Sequence, residues 1–170
     1  GEIVVAPGKS GGGTSFDAAL GVQPFFLAGN WDAVEAGGGV SVYLPKGADA
    51  DERKRAEELA ALAQAAKTFM AGAFGSAPDT PLKIVAVRRG AGFSDGGVLL
   101  LDYGAFRRRK IDSQTAIKIA ESIARMYLGN VAQARGEGYG VIREGLSRFA
   151  ATQFLEKQFG RESADIERLR

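Results

Sequence analysis

The 170 residues include no histidine and no cysteine. This double absence constrains the fold more than any other feature. No disulfide and no Cys/His zinc site can staple the chain, so it must rest on apolar burial and on pairing of its polar groups. Several chemistries are excluded with them: a Ser-His-Asp triad, a cysteine nucleophile, and a catalytic zinc site built on imidazole. Any catalysis would fall to carboxylates, Lys, Arg, Tyr, Ser or Thr. No side chain has an ordinary pKa near neutrality, which argues against a simple pH switch. Hydrophobic residues make up 45% and charged residues 25%, enough apolar material for a core in a chain of 17.9 kDa. The net charge of +2 is too small to imply a nucleic-acid or membrane partner by itself.

The pattern predicts strands first and helices later. Residues 2–6 read as a strand, 7–15 as a flexible loop, and 24–28, 31–36 and 39–44 as short strands separated by Gly-rich turns. The clearest helix spans 50–74. Asp49 or Asp51 caps its start, and Leu59, Leu62, Ala66, Phe69 and Met70 recur on one face. Residues 82–88 read as a buried strand, 89–97 as a loop and 98–102 as another strand. A basic loop, Arg107 to Lys110, precedes a helix over about 113–128, capped by Asp112 or Ser113. A Gly-containing connection at 129–138 leads to a third helix over about 140–159, ended by Gly160. Ser163 is the expected cap of a fourth. The order implies an α+β fold, a mixed sheet followed by helices. No apolar run is long enough to span a membrane, and no signal-peptide pattern is present. The start at Gly1 and the charged helical end suggest a piece of a longer protein.

Two local motifs fall short. Pro7-Gly8-Lys9-Ser10 ends like a phosphate-binding loop but has Ile3 where the first Gly is required, and more glycines follow instead of a helix. Arg107-Arg108-Arg109-Lys110 lacks the broader basic face and base-reading groups of a nucleic-acid site, and reads as a solvated loop.

KIAESIARMYLGN at 118–130 and VIREGLSRFA at 141–150 carry more information. Together they resemble the paired helices of the alanyl-aminopeptidase family of gluzincin zinc metallopeptidases. That family has H-E-x-x-H, then Gly-Asn, then a Glu-Gly pair bringing the third zinc ligand. Two His at i and i+4 share a helix face, and the Glu between them is the general base. Gly129-Asn130 and Glu144-Gly145 set the register. The first His position then holds Glu121, the general-base position Ser122 and the second His position Arg125. Glu144 stands nineteen residues after Arg125, at the family's third-ligand spacing, and Tyr127 stands where the family usually has Trp. Upstream, residues 24–47 look like the passage from an N-terminal β-domain into the catalytic domain. RGAGFSDGG at 89–97 looks like the family's G-x-M-E-N loop, with Phe93, Ser94 and Asp95 at its Met-Glu-Asn positions.

The resemblance implies a gluzincin-like domain over 31–170, truncated at its C-terminus, after the end of a β-domain or a linker at 1–30. It implies a lost zinc site, with vestigial positions Glu121, Ser122, Arg125 and Glu144, and a vestigial amine-anchor loop at Phe93, Ser94 and Asp95. No metal or other cofactor is expected: Glu121, Glu144 and Asp95 offer oxygens, but a fixed guanidinium at Arg125 repels a cation. Instead, Arg125 is expected to bridge Glu121, at i,i+4, and Glu144. The expected role is a non-catalytic one within a larger protein, binding peptide or protein beside the 98–102 strand or scaffolding neighbouring domains, with Phe93, Tyr127 and Arg125 filling the groove in the scaffolding case. The alternative is a residual hydrolase or metallopeptidase with an altered site, using Ser122 or Tyr127 as nucleophile. No nucleic-acid partner is expected.

Overall fold

A computed structural model describes residues 1–18, 22–76, 78–130 and 136–169, with backbone only at 129 and 130. The architecture is α+β: a mixed five-stranded sheet and two small sheets, followed by helices. The chain divides into two compact units, residues 1–61 with 79–111 and residues 62–78 with 112–170.

The first unit contains the sheets. β1 (Ile3–Val5) pairs antiparallel with β4 (Leu27–Gly29). The main sheet has the order β5-β6-β7-β9-β8, from β5 (Trp31–Glu35), β6 (Val40–Pro45), β7 (Leu82–Val87), β8 (Ser94–Asp95) and β9 (Val98–Asp102). β6, β7 and β9 run parallel, and the two edge strands β5 and β8 run antiparallel to their neighbours. β7 and β9 are apolar almost without interruption, as strands covered on both faces must be. Val85, Val98 and Leu100 share one face and form a cluster with Val5, against which Ile3, Phe25, Leu27 and Trp31 pack.

Lys83 is the polar exception on that face, only 6% exposed. Its ammonium donates to the Ala6 and Gly8 carbonyls at 2.7 Å each and lies 4.8 Å from the centre of the Phe16 ring. Burial lowers its pKa from the ordinary lysine value, opposed in part by Glu35. Lys83 therefore ties the N-terminal segment to the sheet.

That tie explains one departure from the sequence reading. Residues 7–15, expected to be a flexible loop, instead enter a hairpin of β2 (Lys9–Gly12) and β3 (Ser15–Asp17). Phe16 under the Lys83 cation and an ion pair of Lys9 with Asp79 hold it. Gly8 is buried, and a side chain there would collide with the Asp17 carbonyl, so the near-miss motif is a packed turn rather than a phosphate cradle. The strand expected at 24–28 begins only at Leu27. The loop expected at 89–97 contains β8. Gly96 and Gly97 both have positive φ, at 55° and 82°, which suits the tight two-residue turn from Asp95 to Val98.

α1 (Ala50–Phe74) begins with a reciprocal cap: Glu52 N–H donates to Asp49 Oδ1 at 2.8 Å, and Asp49 N–H donates to Glu52 Oε2 at 3.0 Å. Asp49, not Asp51, is thus the cap. The second unit takes the latter half of α1, with Leu62, Ala63, Ala66 and Met70 buried and Phe69 half-buried. α2 (Ser113–Asn130) starts where Asp112 Oδ1 accepts from Thr115 N–H at 2.8 Å. α3 (Tyr139–Phe159) and α4 (Arg161–Arg168) follow. The expected 129–138 connection falls largely on 131–135, outside the described residues. Ser163 lies inside α4 and does not cap it. The helix starts directly after Gly160 (φ 89°), and Ser163 Oγ bonds back to the Phe159 carbonyl. Among the described residues no helix is long and apolar enough to cross a membrane.

Replacing Lys83 with Met keeps the apolar stem but leaves two buried carbonyls without their donor. It should lower the unfolding free energy by about 1–3 kcal/mol in urea titrations. An unchanged midpoint and slope would contradict the tie.

Candidate functional site

The helical unit carries two copies of one local pattern. On α2, Glu121 precedes Arg125 by four residues; on α3, Glu144 precedes Arg148 by four. Acid before base at this spacing is the favourable order within one helix. The contacts, however, are exchanged between helices. Arg125 Nε and Nη2 donate to Glu144 Oε2 at 2.9 and 2.6 Å, and Arg148 Nη1 donates to Glu121 Oε1 at 2.7 Å. Arg125 stays within 3.9 Å of its own-helix partner Glu121.

α4 completes the network. Arg148 Nη2 donates to the Glu167 main-chain oxygen at 2.7 Å and lies 3.7 Å from Glu167 Oε2. Glu167 also accepts from Ser113 Oγ at 3.1 Å, at the start of α2. Its side chain is 3% exposed, that of Glu121 is 14% and that of Glu144 is 53%. The inner contacts are therefore shielded from water, and the Glu144 pair lies at the rim. These groups, with Gln114, Ile117 and Lys118, line a cavity of about 490 Å³. Three carboxylates face three cations, so no net negative field builds up inside.

The sequence-derived positions separate clearly. Glu121, Arg125 and Glu144 come together as expected. Ser122 does not join them: it is 1% exposed, turned into the helical core. Tyr127 is 2% exposed, and its hydroxyl donates to the Lys67 carbonyl at 3.2 Å, so it packs against the latter half of α1. Burial also raises its pKa. Neither side chain is open to attack a substrate. Arg148 and Glu167 were not picked out by the sequence reading. The repeated Glu-x-x-x-Arg was the available signal for Arg148; nothing local marked Glu167.

In the sheet unit, Phe93 is 45% exposed and meets Phe25 edge-to-face, with ring centres 5.0 Å apart. Ser94 and Asp95 form the edge strand β8. Asp95 Oδ1 accepts from Gly96 N–H at 2.9 Å, a local turn contact. The strand at 98–102 is therefore not itself an open edge, because β8 covers its outer side.

The helical positions do not fit a zinc ion. The donor set is two carboxylates around a guanidinium, and that fixed positive charge engages the oxygens a metal would need as ligands. Among the described residues no group of three or more Asp, Glu, His or Cys is arranged to hold a metal. No protein-family model matches the chain, and no curated protein matches it.

One further surface is conspicuous. Val141, Ile142, Leu146 and Phe149 are 79, 55, 45 and 63% exposed on the N-terminal half of α3. Residues at these intervals line one flank of a helix.

Because Glu121 is shared by two arginines and shielded, Glu121→Ala should destabilise the chain by about 1–3 kcal/mol, whereas Glu144→Ala should cost under about 1 kcal/mol. Chemical denaturation would measure both, and equal costs would contradict the inner and rim assignment.

Proposed function

We propose that the chain is a non-catalytic, aminopeptidase-like domain whose former zinc-binding positions have become an ion-pair network, and which acts through protein contacts rather than hydrolysis. The observation that carries this reading is the double hydrogen bond from Arg125 to Glu144. These two residues stand where the resemblance puts the second His and the third ligand. A family-like scaffold would require that α2 and α3 bring positions 121, 125 and 144 together, and their side chains do meet. A mixed sheet with a short antiparallel edge strand at Ser94–Asp95 supports the same reading, since the family lays peptide along such an edge.

The chemistry argues against hydrolysis. Ser122 has no carboxylate to serve as general base, and burial removes it and Tyr127 from reach of a substrate. Arg125 holds a fixed positive charge where a metal would have to sit. A role in protein contacts is favoured by the exposed apolar row on α3, because contiguous apolar surface of this kind marks interaction sites.

Restoring the ligands tests the assignment. The triple variant Glu121→His, Ser122→Glu, Arg125→His, with Glu144 retained, should bind one zinc ion per chain in calorimetric titration. The unaltered chain should show no stoichiometric binding and no aminopeptidase activity. A folded triple variant that fails to bind zinc, or tight zinc binding by the unaltered chain, would overturn the reading.

A further inference from the structure

The parallel strands of the main sheet gather positive charge at one edge. β6, β7 and β9 run in the same direction, so their C-terminal ends open together. Each is followed by basic residues: Lys46 and then Arg53, Lys54 and Arg55 after β6, Arg88 and Arg89 after β7, and Arg107 to Lys110 after β9. Ten of the chain's 22 lysines and arginines lie on these three connections. Open α/β sheets bind their ligands beyond such strand ends.

Contacts show that the connections form one surface. Arg55 Nε donates to the Arg108 carbonyl at 3.0 Å, and Arg55 Nη2 donates to the Arg109 carbonyl. Tyr103, in the short 3₁₀ helix Tyr103–Arg107, donates to Glu52 Oε1 at 2.6 Å, and the Arg88 guanidinium lies 6.0 Å from its ring centre. Arg107 approaches the same Glu52 at 3.7 Å. Arg55 thus turns the loop carbonyls inward, while the side chains of Arg107 to Lys110 are exposed.

The nearby carboxylates cancel only part of this charge: Arg53 pairs with Asp32, Arg55 with Glu58 and Arg107 with Glu52. Asp49 and Glu52 are committed to the helix cap, and Glu52 also serves Tyr103. Arg89, Arg109 and Lys110 pair with no carboxylate among the described residues. The cations left over after these pairs repel one another, which raises the energy of the folded chain. A polyanionic partner would relieve that repulsion.

We propose that this edge docks an acidic, Asp/Glu-rich protein segment. Guanidinium groups match carboxylates in bidentate geometry. Asp49 and Asp51 border the same cavity, of about 410 Å³, as Arg107 to Arg109. A nucleic-acid strand, with a charge about every 3.4 Å, would have to set phosphates against them. An acidic peptide can place neutral residues there.

Anisotropy of a labelled Glu-rich peptide tests the proposal on the 170-residue chain. Saturable binding is expected, weakening as salt rises from about 0.05 to 0.3 M, where screening shortens the reach of charges. Arg108→Glu/Arg109→Glu should weaken it about tenfold or more. Lys9→Glu, a charge reversal beside Asp79 at the N-terminal side of β7, should bind as the unaltered chain does. Circular dichroism of each variant checks that the fold is kept. No saturable binding, equal losses in both variants, or tighter binding to a single-stranded oligonucleotide or to phosphatidylserine vesicles would overturn the assignment.

Discussion

The exchange of partners between two Glu-x-x-x-Arg pairs organises the helical unit. Each pair could have closed on itself along its own helix, where an exposed contact contributes only a few tenths of a kcal/mol. Reaching across instead makes each arginine a strut between α2 and α3, and Arg148 carries the connection to α4 through Glu167. A half-buried arginine needs several acceptors to offset its lost hydration, and these three helices supply them. Removing one carboxylate from such a set strands a charge, which is why the inner acid matters more than the rim one.

A chain without cysteine or histidine has few other ways to fix helices at defined spacing. Apolar packing by Ile119, Ile123, Ala151, Phe154 and Leu155 supplies most of the burial but is tolerant of small slides. Charged groups with directional hydrogen bonds are not. The sheet unit reaches a similar solution with a different cation: Lys83 pins the N-terminal segment through two carbonyls and an aromatic face. In both units a buried or half-buried cation does the positioning that a metal or a disulfide does elsewhere.

Much of this was legible in the sequence. The limits of α1 follow from Asp49, the acidic first turn and the positive-φ Gly75 beyond its end, and β6, β7 and β9 follow from their apolar patterns. The meeting of Arg125 with Glu144 was an expectation of the resemblance, which put both residues at one site, joined to their opposite charges. What escaped was tertiary. Lys9 to Asp17 has weak strand propensity and Gly-rich composition; the hairpin forms there because Lys83, some seventy residues later, offers Phe16 a cation. Ser94–Asp95 is too short to register as a strand and exists through pairing with Val98 and Leu99. Glu167 sits in a charged stretch that reads as solvent-facing, and only the fold brings Arg148 and Ser113 to it.

The central claim is that charges, and not a metal, hold α2, α3 and α4 together. Thermal unfolding with a chelator, with excess zinc and with neither tests it most directly. Coincident midpoints are expected. A metal bound at a hundred times its dissociation constant would add about 2.7 kcal/mol and raise the midpoint by roughly 5–10 °C. A rise of that size with zinc, reversed by the chelator, would contradict the account.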